Sequence, residues 1–234
     1  GSYLDEVLND NPDTMIESVT STDGGVYGVP FTGNTWFMYY DTSVFSEDDV
    51  KSLDTMLEKG KVAFPLTDSW YIAAFYYANG CTIFGESGMD ADAGFDFGGD
   101  KAVAVTKYLV NLYNNANFSV DADGSGLSGL REGTVNAIFS GTWNAEAVKE
   151  ALGDNFGATQ LPTITIDGEA KQMRSFAGSK AIGVNPNCQN MQAAVALAVY
   201  LGSAEAQKAH YEMRGIVPTS NALSNDATVS ADIV

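Results

Sequence analysis

The chain has 234 residues, is 45% hydrophobic and 11% aromatic, and carries 30 Asp plus Glu against 12 Lys plus Arg, a formal net charge of −18. A chain of this size and composition builds a core without staples and is not globally disordered. The charge argues against nucleic acid and anionic membrane surfaces, which need basic contacts, and no run reaches the ~18–20 apolar residues of a membrane span.

Cys81 and Cys188 form no C-x-x-C, so a zinc knuckle or redox dithiol is excluded; one long-range disulfide or two separate thiols both remain open. His210, the only histidine, lies between Lys208 and Glu212 and reads as part of a solvated helix face. No Ser/His/Asp or Cys/His constellation is then possible. The opening Gly1-Ser2 reads as an expression scar, with a targeting segment expected to have been removed.

In chain order, residues 3–15 read as a weakly helical lead-in. Ser21-Thr22-Asp23-Gly24-Gly25 has the positive-φ residues of a hairpin turn. A strand is expected at 26–30, halted by Pro30, and a second at 35–40 (TWFMYY), apolar on both faces and so covered on both sides. Ser46 and Asp49 read as a capping box for a helix through Val50, Leu53 and Leu57 that stops at Gly60. A strand at 61–66 leads into Thr67-Asp68-Ser69, which caps a helix over 70–79. Residues 81–99 read as a Gly- and Asp-rich surface excursion. An amphipathic helix over 101–115 puts Val105, Tyr108, Leu109, Leu112 and Tyr113 on one stripe.

Asp121, Asp123, Ser125, Gly126 and Glu132 fall at the first, third, fifth, sixth and twelfth positions of a calcium loop of EF-hand type. Ser128, at a position usually apolar, and the lack of a preceding helix speak against it. Next, residues 130–144 (LREGTVNAIFSGTWN) read as a helical turn ending at Gly133, a strand, and Gly141-Thr142-Trp143 turning into a helix that ends at Gly153. Trp143 thus sits at a strand's carboxyl end and a helix's amino end, where open α/β sheets bind ligands. A flat indole beside free N–H groups suits a neutral, hydroxyl-rich ring; a core Trp closing a strand–helix corner is the other reading. Strands follow at 156–161, 163–166, 172–177 and 181–184, with Asp167-Gly168 as a turn. Helices follow at 189–201, apolar almost all round and so expected to be buried, and from Ser203 to Arg214-Gly215.

The apolar-x-x-Gly run, strand and Gly-x-Trp of 130–144 resemble the extracellular solute-binding proteins of carbohydrate ABC transporters, the maltose-binding-protein-like group, over about residues 27–222. The resemblance implies an α/β, periplasmic-binding-protein-like fold of type II, with one lobe nearly complete and the other partial. Its implied segments are 1–31 (first lobe and crossover), 32–180 (second lobe) and 181–234 (returning, mainly helical). It implies capture of a maltooligosaccharide-like sugar in an inter-lobe cleft, without catalysis or cofactor, for delivery to an ABC permease. The ligand contacts implied are Trp143 as stacking ring, Asp68 and Trp70 as a carboxylate–aromatic pair, Asn34, Thr35 and Trp36 at the first crossover, and Gly178 and Ser179 at the second. Asn34 is an amide where many relatives place a carboxylate. The implied partners are the sugar, permease subunits and a complementing chain that supplies missing segments, with no nucleic acid. The implied location is extracellular, periplasmic or lipid-anchored at a bacterial surface. Two rival readings are a carbohydrate-active enzyme using Asp68 and Glu132, and a ferric-ion binder using Tyr39-Tyr40 and Tyr76-Tyr77.

Overall fold

A computed structural model describes residues 2–176 and 178–230. They form two compact units, one comprising the residues up to Thr35 and those from 178 on, the other Trp36–Phe176. The second unit is four residues shorter at each end than the expected 32–180 segment.

The first unit opens with α1 (Tyr3–Asp10), begun by a Ser2/Asp5 capping box, and α2 (Asp13–Glu17). The turn at 21–25 forms as its residues dictate: Gly24 has φ +79°, and Gly25 N–H donates to Asp23 Oδ1 at 2.8 Å. Strand β1 (Val29–Asn34) departs from expectation by running through Pro30. The proline is tolerated because this sheet has only two strands and its register shifts between Pro30 and Thr32.

The second unit begins with β2 (Trp36–Asp41). The Ser46/Asp49 box does form, but it heads a single tight turn at Asp49–Lys51; the helix proper, α3 (Leu53–Lys59), is capped by Ser52. Then come β3 (Val62–Phe64), α4 (Ser69–Ala78), the short hairpin strands β4 (Thr82–Ile83) and β5 (Phe95–Asp96), α5 (Gly99–Tyr113) and β6 (Phe118–Val120). Helix α6 (Ser125–Glu132) stops at Gly133, whose φ of +69° suits glycine. Strand β7 (Ala137–Gly141) leads through a tight turn at Thr142–Asn144 into α7 (Ala145–Leu152). After β8 (Phe156–Thr159), β9 (Thr163–Ile166) and β10 (Glu169–Gln172) pair across Asp167 (φ +52°) and Gly168 (φ +83°). Two consecutive positive φ values define a tight hairpin turn, so the strand placed at 172–177 ends at Gln172 instead. Ala177 lies outside the described residues.

Five strands make the second unit's sheet, in the order β6-β3-β7-β2-β8. Strands β6, β3 and β7 are parallel; β2 runs antiparallel to β7 and β8. Trp36, Met38, Phe64 and Phe139 fill the core around this sheet with Phe75 of α4 and Val105 and Leu109 of α5. Tyr113, expected on the buried stripe of α5, is exposed. Tyr108 bridges instead: its hydroxyl donates to Asp54 Oδ1 at 2.9 Å, while Asp54 Oδ2 accepts from Thr165 N–H at 2.8 Å.

The chain returns to the first unit as β11 (Gly178–Ile182), paired antiparallel with β1, then α8 (Met191–Leu201), α9 (Ala204–Arg214) and α10 (Ala227–Ser230). Helix α8 is not buried as expected: Met191, Leu197 and Tyr200 face solvent, and only Ala198 and Val199 are fully covered. A two-stranded sheet and neighbouring helices do not cover a helix that is apolar all round. His210 also departs from the solvated role. Its ring meets Phe31 edge-on at 4.8 Å, and its Nδ1 is buried without a hydrogen-bond partner among the described residues. Both cysteines are free thiols; burial pushes that of Cys81 up. No helix among the described residues is long and apolar enough to cross a membrane.

Candidate functional site

The three parallel strands end on the same side of the sheet, and the residues that follow them make a pocket. Residues after β3 supply Asp68 and Tyr71, those after β6 supply Asp121 and Asp123, and those after β7 supply Trp143 and Asn144. Its volume is about 430 Å³, within the range of small-molecule sites. Carboxyl ends of strands are where open α/β sheets leave a crevice, so the topology alone points here.

Trp143 is 53% exposed, so it is not a core ring closing the corner. Its presentation follows from local structure. Gly141 ends β7 as the register partner of Trp36, and the Tyr39 hydroxyl donates to the Gly141 carbonyl at 2.9 Å. The Trp143 ring folds back over Gly141 so closely that a Cβ there would overlap it. Asn144 Nδ2 donates to Ser140 Oγ at 2.9 Å, closing the corner.

Asp68 caps α4: its Oδ1 accepts the Trp70 N–H at 2.9 Å. One carboxylate oxygen is thus spent on the helix, and the exposed side chain keeps acceptor capacity for a ligand. Asp121 Oδ1 accepts from Gly126 N–H at 2.8 Å and Ser125 Oγ at 3.3 Å, and so fixes the first turn of α6. Asp123 holds φ +52° before Gly124 at +80°. The Tyr71 hydroxyl titrates above its ordinary value, mainly because it is buried and further because of the Asp68 and Asp121 charges. It stays a neutral donor and acceptor at physiological pH. The pocket therefore offers one flat apolar face ringed by hydroxyl, amide and carboxylate groups.

Not every anticipated contact lies in this pocket. Trp70 lies one step away, stacked on Phe176 with centroids 5.0 Å apart and planes at 18°. Trp36 is only 1% exposed, packed against Phe64, Tyr71 and Phe139. The expectation that it touches ligand is corrected: β2 is an inner strand of the sheet, and Trp36 is part of the core. Asn34, Thr35, Gly178 and Ser179 belong to the first unit, where Asn34 pairs with Gly178 and Gly33 with Ser179 at the joined ends of β1 and β11. Asn34's side chain occupies the space a Cβ on Gly178 would need, and Ser179 Oγ is 2.9 Å from Ser18 Oγ. Tyr71 and Asn144 line this pocket without having been singled out in the sequence, and Asp121 and Asp123, singled out only for calcium, line it too. The signal that would have found them is position, directly after the parallel strands.

The calcium loop is corrected. Ser125–Glu132 is helical, and seven residues at 1.5 Å per residue carry Glu132 about 10 Å from Ser125. No cluster of three His, Cys, Asp or Glu side chains among the described residues is arranged to hold a metal ion. The same helix sets aside the Asp68/Glu132 acid pair, since Glu132 is exposed at its far end and does not line the pocket. The tyrosine pairs do not converge either: Tyr39 and Tyr40 are buried in β2, while Tyr76 lies 3.0 Å from Thr106 Oγ1 and Tyr77 packs on Phe97 and Phe176.

A mixed five-stranded sheet in one unit, with the chain crossing twice to a second unit, is the type II periplasmic-binding-protein fold, here with one lobe nearly complete and the other partial. The chain belongs to the family of bacterial extracellular solute-binding proteins, which matches residues 3–233. It is 28% identical over 227 residues to a maltooligosaccharide ABC transporter solute-binding lipoprotein of Streptococcus pneumoniae R6, covering 89% of this chain and 52% of that protein. A solved structure determined with acarbose is 56% identical, with a TM-score of 0.93, covering 99% of this chain and 61% of the other. A maltodextrin-binding protein of L. casei BL23, solved without ligand, is 28% identical with a TM-score of 0.90, covering 98% and 61%. The chain thus spans about half the length of its curated relative.

Proposed function

We propose that this chain binds a maltooligosaccharide-like sugar through the second unit's pocket and serves an ABC import system at the outer face of a bacterial cell. The observation that carries the reading is Trp143, half exposed on a rigid strand–helix corner with Asp68, Tyr71, Asp121 and Asn144 around it. A pyranose laid on the indole loses apolar area to water at about 25 cal/mol per Å², and its rim hydroxyls meet acceptors and donors. Trp70 is the second ring, and Asn34, Thr35, Gly178 and Ser179 are the contacts proposed from the first unit. The pneumococcal relative's description as an ABC transporter lipoprotein supports a permease as recipient and an extracellular or lipid-anchored location. The role is binding without bond cleavage. Exposed Tyr3, Leu4, Leu197 and Tyr200 on the first unit support a complementing polypeptide that covers them.

The test is calorimetry with maltooligosaccharides. Trp143→Ala is expected to weaken binding by ~2 kcal/mol or more, as loss of a stacking anchor does. Unchanged affinity would overturn the assignment. Sugar chain lengths are expected to be the same before and after incubation with the protein; shortened products would restore the enzyme reading.

A further inference from the structure

Helix α5 has two apolar faces, and the core uses only one of them. Ala102, Val105, Leu109 and Leu112 are buried. Val103, Val110 and Tyr113 face outward, 50%, 56% and 63% exposed, and exposed Thr106 completes a row at i, i+3, i+7 and i+10. That is the spacing by which one helix packs along another, here over about 15 Å of axis. Valine is poorly suited to a solvated helix face: its branched side chain loses rotamer freedom there and, left exposed, gains no packing in return. Two hollows, of about 460 and 470 Å³, lie along the row, and Val103, Lys107 and Asn111 line both. The face is also free of acid. From Lys101 to Tyr113 there is no Asp or Glu, in a chain that carries 30.

We propose that this face pairs with the same face of a second copy of the chain, α5 against α5, antiparallel about a two-fold axis at Thr106–Lys107. The spacing selects a second copy as the occupant. Val103 and Val110 stand equally far from that axis, so each meets the other in the second copy, and the contact is made twice. Asp100 and Tyr113 are likewise equidistant, and both are exposed. The Tyr113 hydroxyl of one copy is thus placed to donate to the Asp100 carboxylate of the other. Charge agrees. Two chains of net charge −18 repel, and they approach at least cost where neither carries a carboxylate. A basic partner finds no carboxylate within the row to pair with. Between Val103 and Tyr113 the one charge is Lys107, whose flexible stem turns its ammonium group to water. One helix pair covers less than the roughly 1,200–2,000 Å² of a stable interface, so the association is weak and reversible.

The experiment is sedimentation equilibrium of the full chain from micromolar to millimolar concentration, carrying Leu197→Gln so that exposed α8 contributes least to association. The chain is expected to dimerise weakly, and more so in high salt, which screens the repulsion between two acidic copies. Val110→Glu sets a carboxylate against Val103 at both contacts and is expected to raise the dissociation constant roughly tenfold or more. Lys107→Ala is expected to lower it. Circular dichroism checks that these exposed substitutions keep the fold. Oxidation reads the register: Val103→Cys and Val110→Cys chains are expected to cross-link when mixed, above the level of the unsubstituted chain. Neither is expected to cross-link with itself, because like positions lie about 10 Å apart along the axis, beyond disulfide reach. A monomer at every concentration would overturn the proposal. So would dimers that persist in Val110→Glu, which put the contact elsewhere, and single variants that cross-link as well as the mixture, which leave no fixed register. A monomer whose binding to permease-bearing vesicles is lost in Val110→Glu would give the face to that partner instead.

Discussion

Trp143 and Gly141 act as one part. The ring lies where a Cβ on residue 141 would be, so Gly141→Ala must push the indole off its seat. Sugar affinity is expected to fall about as far as in Trp143→Ala, and a melting curve is expected to show the fold retained. Asp68 carries two duties that substitution separates. Asparagine caps a helix as well as aspartate does, so Asp68→Asn is expected to leave thermal stability nearly unchanged while weakening sugar binding; Asp68→Ala is expected to lose both, with about 1 kcal/mol from the cap. These two residues were legible in the sequence because each stands at a strand–helix junction with the right chemistry. Trp36 was not, because a strand apolar on both faces gives no sign of which ring reaches a surface. Tyr71 was hidden in an aromatic run that reads as core, and Asp121 and Asp123 were absorbed by a calcium pattern that spacing alone imitates.

Among the elements, the 46–59 segment shows how a local signal can be right and its span wrong. The Ser46/Asp49 box forms, but Ser52 intervenes with a better cap and starts α3 afresh. Asp49 gains a partner from the far end of that helix. Lys59 Nζ reaches its Oδ1 at 2.6 Å, and Ser46 N–H donates to Oδ2 at 3.0 Å, which together lower its pKa to about 2. The folded value lies below the unfolded one, near 3.9. This contribution to stability is therefore complete above about pH 4 and disappears as pH falls through about 2. Asp49→Asn is expected to flatten the acid side of a plot of melting temperature against pH across that window, with little change in slope between pH 5 and 7. The parallel strands were readable as apolar runs, but their order was not. Pairing β3 between β6 and β7 depends on contacts more than fifty residues apart, which no local pattern encodes.

At the scale of the whole molecule, the second unit closes its core with its own residues. The 36–176 segment expressed alone is expected to show a cooperative thermal transition and native circular dichroism; a broad, non-cooperative melt would contradict a self-sufficient core. The first unit differs. Leu197 is 57% exposed, and Met191 and Tyr200 on the same helix also meet water. Leu197→Gln is expected to lower binding of a hydrophobic dye and concentration-dependent association without lowering the melting temperature. Here the sequence misled in an instructive way. An all-apolar helix signals a need for cover, and the helix alone does not reveal whether this chain provides it.

The register of Asn34 with Gly178 has a practical reach. The long stretch between them leaves one strand and re-enters the next at neighbouring rungs of a single ladder. Such an arrangement makes the 36–176 stretch a cassette with both seams at one spot. A graft that trades it for its counterpart from a relative with another sugar preference needs only two adjacent splices.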